Sequence, residues 1–474
     1  MLEPARDREL ESRRSFRLLL TRLVLFCAAM AVLKRILLMA ALFITAGGCF
    51  AQDEMSAPFL QLQQDCQEST PTGYSPRLNL LTLTPKSNLH YLFPLYHAIK
   101  DEAKFKKIYG EKGFYDEVSQ YFAFAGDYRT ALQYLVKSYD TVDDKTRKKI
   151  YKTAAGLEGI VHADARKYIH LAAKNRRVVM INEAFAKPIH RAFTISLLED
   201  FYRQGFRYLA LEMLNNFSSQ RLTSVGMHSG YYVCEPVAGE LMRTALAIGY
   251  TLVPYEDTLA GVHTANQRDS MQAVNLYKVL QQDSTAKILV HASFEHISKK
   301  PLPDGHIPMA LAFWRLSGIE PLTIDQTDMT EESNVGYGRV IYQAYTTKFL
   351  ITEPSIALIN NAAVNVTDKD LYDLCVIHPP TIYNDGRPTW MSLDGTRQPF
   401  YIKSISRDVF FVQAYYQQEI DNNDNTPWQL VPADQTYYQG GKDRYLLYLR
   451  KGKYKIFFRD INYHILSTLP IEVN

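Results

Sequence analysis

The fold is decided by residues 178–212, which read VVMINEAFAKPIHRAFTISLLEDFYRQGFRYLALE. Val178–Ile181 is a short apolar run of the kind that forms a buried strand. Ile189–Gln204 then repeats its large apolar side chains at helical spacing, and Gly205 stands where a helix-ending glycine belongs. A second apolar run follows at Tyr208–Leu211. Strand, helix and strand at this spacing predict a parallel sheet covered by helices.

The same alternation continues toward the C-terminus. The further predicted elements are a helix from Pro236 to Gly249, a strand at Thr251–Pro254, a helix at Asn266–Gln282, a strand at Lys287–Ala292, a helix at Pro308–Ser317 and a strand at Pro321–Ile324. Pro236 suits a first helical turn, and Gly249 and Gly318 suit helix ends. We therefore predict an α/β fold with a mainly parallel sheet and covering helices.

The regions before and after this strand–helix alternation have different residue patterns. A chain of 474 residues predicts two to four domains. Residues 52–174 predict a small helical subdomain, 175–365 the α/β domain, and 366–474 a C-terminal β-rich domain. In the last of these, Tyr- and Ile-rich runs such as Tyr445–Leu449 and Tyr454–Arg459 are separated by turn residues, as in hairpins.

Residues 1–51 are interpreted as a signal peptide region. Lys34 and Arg35 precede the apolar run Ile36–Ala46, and small residues follow up to Ala51. The run is short for a membrane span, so cleavage after Ala51 is the favoured interpretation. A start at Met30 would give an ordinary signal peptide and would make residues 1–29 an over-extended gene start.

Two alternatives stay open for this segment. One is lipidation of Cys49, which would make the protein a lipoprotein, and the other is an uncleaved anchor at Leu18–Val32. All three interpretations predict an exported protein of the periplasm or cell envelope. Membrane contact is expected only through the signal peptide or the lipid anchor at Cys49.

Charge and cysteine content narrow the class of function. The net charge of +3 becomes −1 once residues 1–51 are removed. Such a near-neutral body argues against a nucleic-acid-binding protein. After cleavage three cysteines remain, Cys66, Cys234 and Cys375, without a CxxC spacing. We expect buried free thiols rather than a zinc site or a redox pair.

Acidic residues and a histidine follow the predicted strands. Ligands of open α/β sheets bind outside the carboxyl ends of the strands. The residues at these ends are Glu183, Glu212, Glu256 with Asp257, Ser293-Phe-Glu-His296 and Asp325. His190 lies seven residues after Glu183 in the first helical turn. We predict that Glu183, His190, Glu212 and His296 form a catalytic group, although each acid alone could serve as a helix N-terminal charge.

Further polar residues are weaker candidates. Arg268 begins a helix and could hold an anionic group, or form a surface ion pair with Asp269. His228 and Tyr231 lie in a long connection and could cover the pocket, or simply be loop residues. His291 lies inside a predicted strand, and we interpret it as a core histidine that makes hydrogen bonds. The sequence contains no GxSxG, P-loop, HExxH or GxGxxG motif, which disfavours serine esterases, kinases and dinucleotide-binding enzymes.

The order of these residues resembles the erythromycin esterase and ChaN-like haem-uptake superfamily. The resemblance covers about residues 177–318. Asn182-Glu-Ala-Phe-Ala-Lys-Pro-Ile-His190 is similar to the ChaN-like run Gly-Glu-x-His-x-x-Pro-x-His. Arg268-Asp269, followed by the strand that leads to His296, resembles the esterase pattern of an Arg-led helix before Ala-His-Asn-x-His. This sequence departs from the family at Asn182, at Phe185 and Ala186 where an early His is expected, and at Ser293.

Two functions follow from these observations. In the first, the carboxylates and histidines activate water on an ester or related acyl bond, and Arg268 holds an anion. This esterase reaction requires no cofactor, although two Glu and two His also suit a divalent metal. In the second, a ChaN-like pocket binds haem or a metal in an extracytoplasmic protein. A catalytically inactive interaction module is a third alternative. All three imply a small-molecule ligand or substrate, or a protein contact, rather than nucleic acid.

Overall fold

The computed structural model describes residues 88–216, 222–258, 263–333, 338–367, 370–423, 426–437 and 443–474. All of them belong to one compact unit, Pro58–Asn474. The signal segment, its alternatives at Cys49 and Leu18–Val32, and Cys66 lie outside the described residues, so the interpretations placed on them stay predictions.

Eleven α-helices lie within the described ranges. They are α1 (Phe93–Lys100), α2 (Glu102–Phe124), α3 (Tyr128–Lys137), α4 (Asp144–Ala155), α5 (Ala165–Ala173), α6 (Ile189–Arg203), α7 (Pro236–Ile248), α8 (Ala265–Gln282), α9 (Met309–Ser317), α10 (Gly338–Lys348) and α11 (Gln417–Asp421). Among the described residues, no helix combines the length and the hydrophobicity needed to cross a membrane.

The strands fall into one large sheet and several smaller ones. They are β1 (Val161–Asp164), β2 (Val178–Glu183), β3 (Tyr208–Leu211), β4 (Thr251–Val253), β5 (Ile288–Ser293), β6 (Leu322–Asp325), β7 (Ser355–Ile359), β8 (Ala362–Ala363), β9 (Leu374–Ile377), β10 (Tyr383–Asn384), β11 (Arg387–Pro388), β12 (Gln398–Lys403), β13 (Phe411–Tyr416), β14 (Asp434–Tyr437), β15 (Arg444–Leu449), β16 (Gly452–Arg459) and β17 (Ile465–Val473).

The large sheet confirms the predicted α/β fold. Its strand order is β1-β7-β9-β6-β2-β5-β3-β4, with β8 paired to β7. The strands from β9 to β4 in this order pair in parallel, whereas β7 pairs antiparallel with both β9 and β1. The five strands and four helices predicted between residues 178 and 324 are all present, with bounds that differ by at most two residues.

Helices cover both faces of this sheet. Alternate residues of β2 point to opposite faces, so that Val179 and Ile181 pack with α6 and α7, while Val178 and Met180 pack with α8 and α9. Both β2 and β5 are buried along their whole length. Such continuous burial explains why these strands read as apolar runs rather than as alternating patterns.

Glycine ends two of the covering helices. Gly249 after α7 has a φ of 111° and Gly318 after α9 has a φ of 69°. These left-handed conformations are disfavoured for residues that carry a Cβ, and here they let the chain turn directly into β4 or toward β6. At the other end of α7, Pro236 occupies the first turn and the Glu235 carboxylate accepts from the backbone N–H groups of Val237 and Ala238.

The large sheet also takes strands from beyond residues 175–365. Its edge strand β1 belongs to the region predicted as a helical subdomain, and β9 belongs to the region predicted as β-rich. The domain bounds at 174/175 and 365/366 therefore stay predictions, and the sheet crosses both of them.

Antiparallel strands form the C-terminal part, as predicted. One sheet has the order β14-β13-β16-β17, and β12 pairs with β15. This part packs against α2 and α3. The Gln435 side chain donates to the Phe124 carbonyl at 2.6 Å, and the Tyr437 hydroxyl donates to Asp127. Cys234 and Cys375 are both buried, as expected, and within the described part of the chain neither forms a disulfide.

Candidate functional site

The carboxyl ends of the parallel strands meet at one edge of the sheet. Glu183 is the last residue of β2, Glu212 follows β3, and the 3-10 turn Phe294–Ile297 follows β5. Since β5 lies between β2 and β3, these three strand ends are neighbours. The edge holds two groups of charged side chains, which differ in exposure.

The first group is an inner ion triad of Glu183, Arg191 and Glu235. Arg191 Nε donates to Glu183 Oε2 at 2.6 Å and its Nη2 to Oε1 at 3.3 Å, while its Nη1 donates to Glu235 Oε2 at 3.0 Å. All three side chains are at most 2% exposed. Glu235 also accepts from the Tyr128 hydroxyl at 2.8 Å and caps α7. The inner ion triad therefore fastens α6 and α7 to the sheet.

Glu183, predicted as catalytic, thus has both oxygens engaged by an arginine. Burial raises the pKa of Glu183, Arg191 opposes that effect, and the charge of Glu212 adds to it, so that the pKa is raised overall. Arg191 and Glu235 were not predicted as site residues. Arg191 follows His190 directly, but one sequence gives no sign that it turns back toward the strand end.

His190, the second predicted catalytic residue, is fully buried beside the inner ion triad. Its Nδ1 accepts from the Ala184 N–H at 3.0 Å, which closes the turn between β2 and α6. Its ring lies 5.5 Å from that of His378. Burial first, and then the neighbouring His378 and Lys187, lower the pKa of His190. The structure does not bring His190 to Glu212 and His296.

His291 is a core histidine, as its strand position predicts. Its Nδ1 lies 3.9 Å from Glu183 Oε1. Among the described residues, neither ring nitrogen has a hydrogen-bond partner, in contrast to the predicted hydrogen-bonded state. Burial and the Arg191 charge lower the pKa of His291 to about 3, so the ring is neutral.

The second group is an outer ion triad of Glu212, Arg268 and Glu256. Arg268 Nη2 donates to Glu212 Oε1 at 2.6 Å and also contacts Glu256, whose other oxygen accepts from Arg268 Nε at 2.9 Å. The Arg268 side chain is 36% exposed and that of Glu256 is 27% exposed. A solute can therefore reach the guanidinium, which is not so in the inner ion triad.

His296 lies against this outer ion triad. Its Nε2 is 3.8 Å from Glu212 Oε1 and 3.2 Å from Arg268 Nη1. Its Nδ1 is 2.7 Å from Oδ1 of Asp269, a fully buried carboxylate whose other oxygen lies 2.9 Å from His306 Nε2. A surface ion pair of Asp269 with Arg268 was one of the two alternatives left open by the sequence. The structure instead places its carboxylate against the histidine ring as a close ion pair, in which neither Nδ1 nor Oδ1 makes an aligned hydrogen bond within the described part of the chain.

The electrostatics of Glu212 and His296 are coupled. Burial acts to raise the pKa of Glu212, but His296, Arg268 and the Ser293 backbone N–H outweigh it, and the pKa is lowered. Burial acts to lower the pKa of His296, but Asp269 and Glu212 outweigh it, and the pKa is raised. Glu212 is therefore ionised at neutral pH, and His296 is a stronger base than an ordinary histidine.

The turn that carries His296 is held from below. Phe294 has a φ of 36°, an unfavourable conformation for a residue with a side chain. Asn182 donates to the Phe294 carbonyl at 3.0 Å and to Asp325 at 2.7 Å. Asn182 stands where the ChaN-like pattern of the resemblance has a glycine, and here its side chain fixes the turn. Asp325, another strand-end acid, also accepts from the N–H and the hydroxyl of Thr327 and is a turn residue.

Aromatic side chains adjoin this edge. The Phe185 and Tyr232 rings stack at 4.1 Å, and Tyr231 packs edge-on to Tyr232 at 5.0 Å. Tyr231, predicted to bind substrate, is thus half-buried in an aromatic cluster. His228, the other such residue, is exposed in a 3-10 turn, with its Nε2 3.4 Å from the Ser224 hydroxyl. The structure gives neither residue a contact with the outer ion triad.

Cofactor binding stays a prediction. The described residues include no group of three or more His, Cys, Asp or Glu placed to hold a metal ion. His190, on which the haem resemblance depends, is buried with Nδ1 engaged by the backbone, so it does not fit the role of an exposed axial ligand. We therefore derive no step through haem or a metal.

Comparisons with known proteins add little. No family model and no curated protein matches this sequence. The type III effector HopBA1 is similar at 14% identity and a TM-score of 0.25, over 36% of this chain and 87% of that one. RRSP, a MARTX toxin effector domain from Vibrio vulnificus CMCP6, is similar at 14% identity and a TM-score of 0.28, over 62% of this chain and 68% of that one.

A third similar structure is the C-terminal region of Pasteurella multocida toxin, described as having a thiol-protease-like catalytic triad. It is 9% identical with a TM-score of 0.23, and the match covers 88% of this chain and 61% of that one. Similarities with TM-scores this low carry no argument about chemistry. None of the three is described as an erythromycin esterase or a ChaN-like protein, so that resemblance also stays a prediction.

Proposed function

We propose that this protein is an exported hydrolase that uses His296, supported by Asp269 and Glu212, to activate water on an ester or related acyl bond. The observation that carries the proposal is the buried Asp269 carboxylate 2.7 Å from His296 Nδ1, with Nε2 of the same ring beside Arg268 and Glu212. A histidine whose positive charge is stabilised by a buried carboxylate beside one nitrogen is suited to exchange protons at the other.

The proposed base is His296 Nε2. The Asp269 carboxylate favours the tautomer with a proton on Nδ1, which leaves a lone pair on Nε2. The raised pKa of His296 makes that lone pair more basic, and the ring is still partly exposed at 16%. In the structure this lone pair accepts from Arg268 Nη1 at 3.2 Å, so a water molecule loses its proton to Nε2 only once it has replaced that N–H as it attacks an acyl carbon.

Arg268 and Glu212 have complementary tasks in this proposal. The oxygen of the attacked carbonyl gains negative charge, and the Arg268 guanidinium, which is 3.2 Å from Nε2 on a side chain that is 36% exposed, could stabilise it. Glu212 is ionised and lies 3.8 Å from Nε2, so it favours the imidazolium formed when His296 takes the proton. Glu212 is held in place by the N–H and the hydroxyl of Ser293.

The proton balance closes within this group. Water loses one proton to His296 Nε2 and forms the new C–O bond. The C–O bond to the leaving alcohol then breaks, and the imidazolium returns its proton to the alkoxide. Glu183 and His190 take no direct part, because the inner position of both keeps them from the substrate.

The experiment is turnover of a panel of activated carboxylic esters and lactones by the purified full chain. We expect His296→Ala to lower turnover about 10²- to 10⁴-fold, and Asp269→Asn to lower it as well. His464→Ala, which changes a largely exposed histidine in the C-terminal part, is the matched control and should leave turnover unchanged.

Two results would contradict the proposal. One is full turnover by His296→Ala on every ester that the wild type hydrolyses. The other is no turnover of any ester or lactone by the wild type, together with a haem Soret band that His190→Ala abolishes. The second result would favour the haem-binding alternative.

A further inference from the structure

One face of α4 carries four lysines. Lys145, Lys148, Lys149 and Lys152 stand at positions i, i+3, i+4 and i+7, which lie on the same side of a helix. All four are exposed, whereas Ala154 on the opposite side is buried. We call these four side chains the lysine face.

The lysine face is not compensated locally. Among the described residues, none of the four lysines makes a salt bridge, and Asp144 is the only acid within α4. Like charges at these spacings weaken a helix, so folding alone does not favour the arrangement. The chain after residue 51 has a net charge of −1 that includes α4, whose five basic residues and one acid contribute +4, so the positive charge is concentrated on this helix.

Exposed apolar side chains adjoin the C-terminal end of α4. Lys348 Nζ donates to the Ala155 carbonyl at 2.6 Å, which places the end of α10 beside the end of α4. Two residues further on, Leu350 is 89% exposed, and Tyr151 on α4 is 37% exposed. Of the large apolar side chains in the described part of the chain, Leu350 is the most exposed.

We propose that the lysine face and Leu350 bind the surface of an anionic lipid membrane. Clustered lysines are attracted to acidic headgroups, and an apolar side chain beside them can enter the headgroup boundary. A nucleic acid would use the lysines but would leave Leu350 without a partner, so lipid fits both observations. This contact is separate from any signal peptide or lipid anchor in residues 1–51.

The test is co-sedimentation of the full chain with vesicles of phosphatidylcholine alone or mixed with phosphatidylglycerol. The double variant Lys148→Gln/Lys149→Gln should bind the mixed vesicles about 30-fold more weakly than the wild type, since each neutralised lysine costs about fivefold. Leu350→Ser should weaken binding several-fold. Lys403→Gln/Lys451→Gln removes two exposed lysines from the C-terminal part and should bind like the wild type.

Every variant carries residues 1–51, so any vesicle binding by that segment is the same in all variants and does not affect the comparison. Circular dichroism should show unchanged helix content in every variant, because the altered side chains are exposed. Equal binding of the wild type and the lysine variant to mixed vesicles would overturn the proposal. So would a lysine-dependent affinity for double-stranded DNA with no lysine-dependent affinity for vesicles.

Discussion

Two arginines at one edge of the same sheet each lie between two glutamates, yet the two triads have different properties. In the inner ion triad Arg191 is 1% exposed, and in the outer ion triad Arg268 is 36% exposed. Each triad also faces a histidine from β5 or the turn that follows it. The pKa of His291 is lowered to about 3, whereas that of His296 is raised.

This difference shows that a position at the end of a strand does not by itself define a functional site. Glu183 and Glu212 occupy equivalent places after parallel strands, but their partners assign them different tasks. Arg191 seals Glu183 inside the protein, where the pair can act only on the packing of α6 and α7. Arg268 binds Glu212 at the same edge of the sheet, but there the Arg268 side chain is 36% exposed and that of His296 is 16% exposed.

The largest expected difference is in stability. Arg191→Met leaves Glu183 and Glu235 buried without their cation, so we expect the free energy of unfolding to fall by about 3–5 kcal/mol. Arg268→Met removes a partly exposed ion pair and should lower it by about 1 kcal/mol or less. Urea unfolding of the two variants measures both values, and equal losses would contradict the distinction between the triads.

A smaller difference is expected in the pH dependence of stability. In the unfolded chain His291 titrates near 6.5, and in the folded protein only near 3. Below pH 6.5 His291 binds a proton in the unfolded chain, whereas in the folded protein it stays neutral until the pH approaches 3. The free energy of unfolding therefore falls as the pH drops, by up to about 1.4 kcal/mol per pH unit for this residue.

His291→Leu should remove that part of the slope and leave stability above pH 6.5 nearly unchanged, since the ring makes no hydrogen bond within the described part of the chain. Urea unfolding between pH 4.5 and 7.5 checks this, with His464→Leu as an exposed-histidine control. Wild-type and His291→Leu curves that stay parallel throughout would show that His291 is not held neutral.

The smallest expected effect concerns the acid limb of the pH–rate profile. A protonated His296 cannot accept a proton from water, so turnover falls as the pH drops below the pKa of His296. The Asp269 carboxylate helps to raise that pKa. Asp269→Asn should therefore move the acid limb to lower pH as well as reduce the maximal rate. A limb that stays in place would mean that another group controls it.

The sequence predicts most of the central sheet because its strands are buried on both faces and read as apolar runs. It does not predict that β1 and β9 join that sheet. A four-residue run such as Leu374–Ile377 is apolar wherever it packs, and periodicity does not identify its neighbours.

The candidate site is predicted in part for a similar reason. Parallel strands end at the same edge of a sheet, so the sequence predicts that Glu212 and His296 lie at one edge. That they are neighbours depends on the pairing of β3 with β5, which the residue pattern does not specify. The role of Glu183 depends on a contact with Arg191 eight residues away, and that of His296 on Asp269 in a different helix. Such contacts depend on how side chains turn in the folded protein, which the pattern of residue types does not specify.

We propose that the outer ion triad and His296 carry out the reaction, whereas the inner ion triad stabilises the fold. The most direct test is ester turnover per folded molecule for two variants of neighbouring histidines, His296→Ala and His291→Leu. We expect a loss of about 10²- to 10⁴-fold for His296→Ala and wild-type turnover for His291→Leu. Wild-type turnover in His296→Ala with a comparable loss in His291→Leu would contradict it.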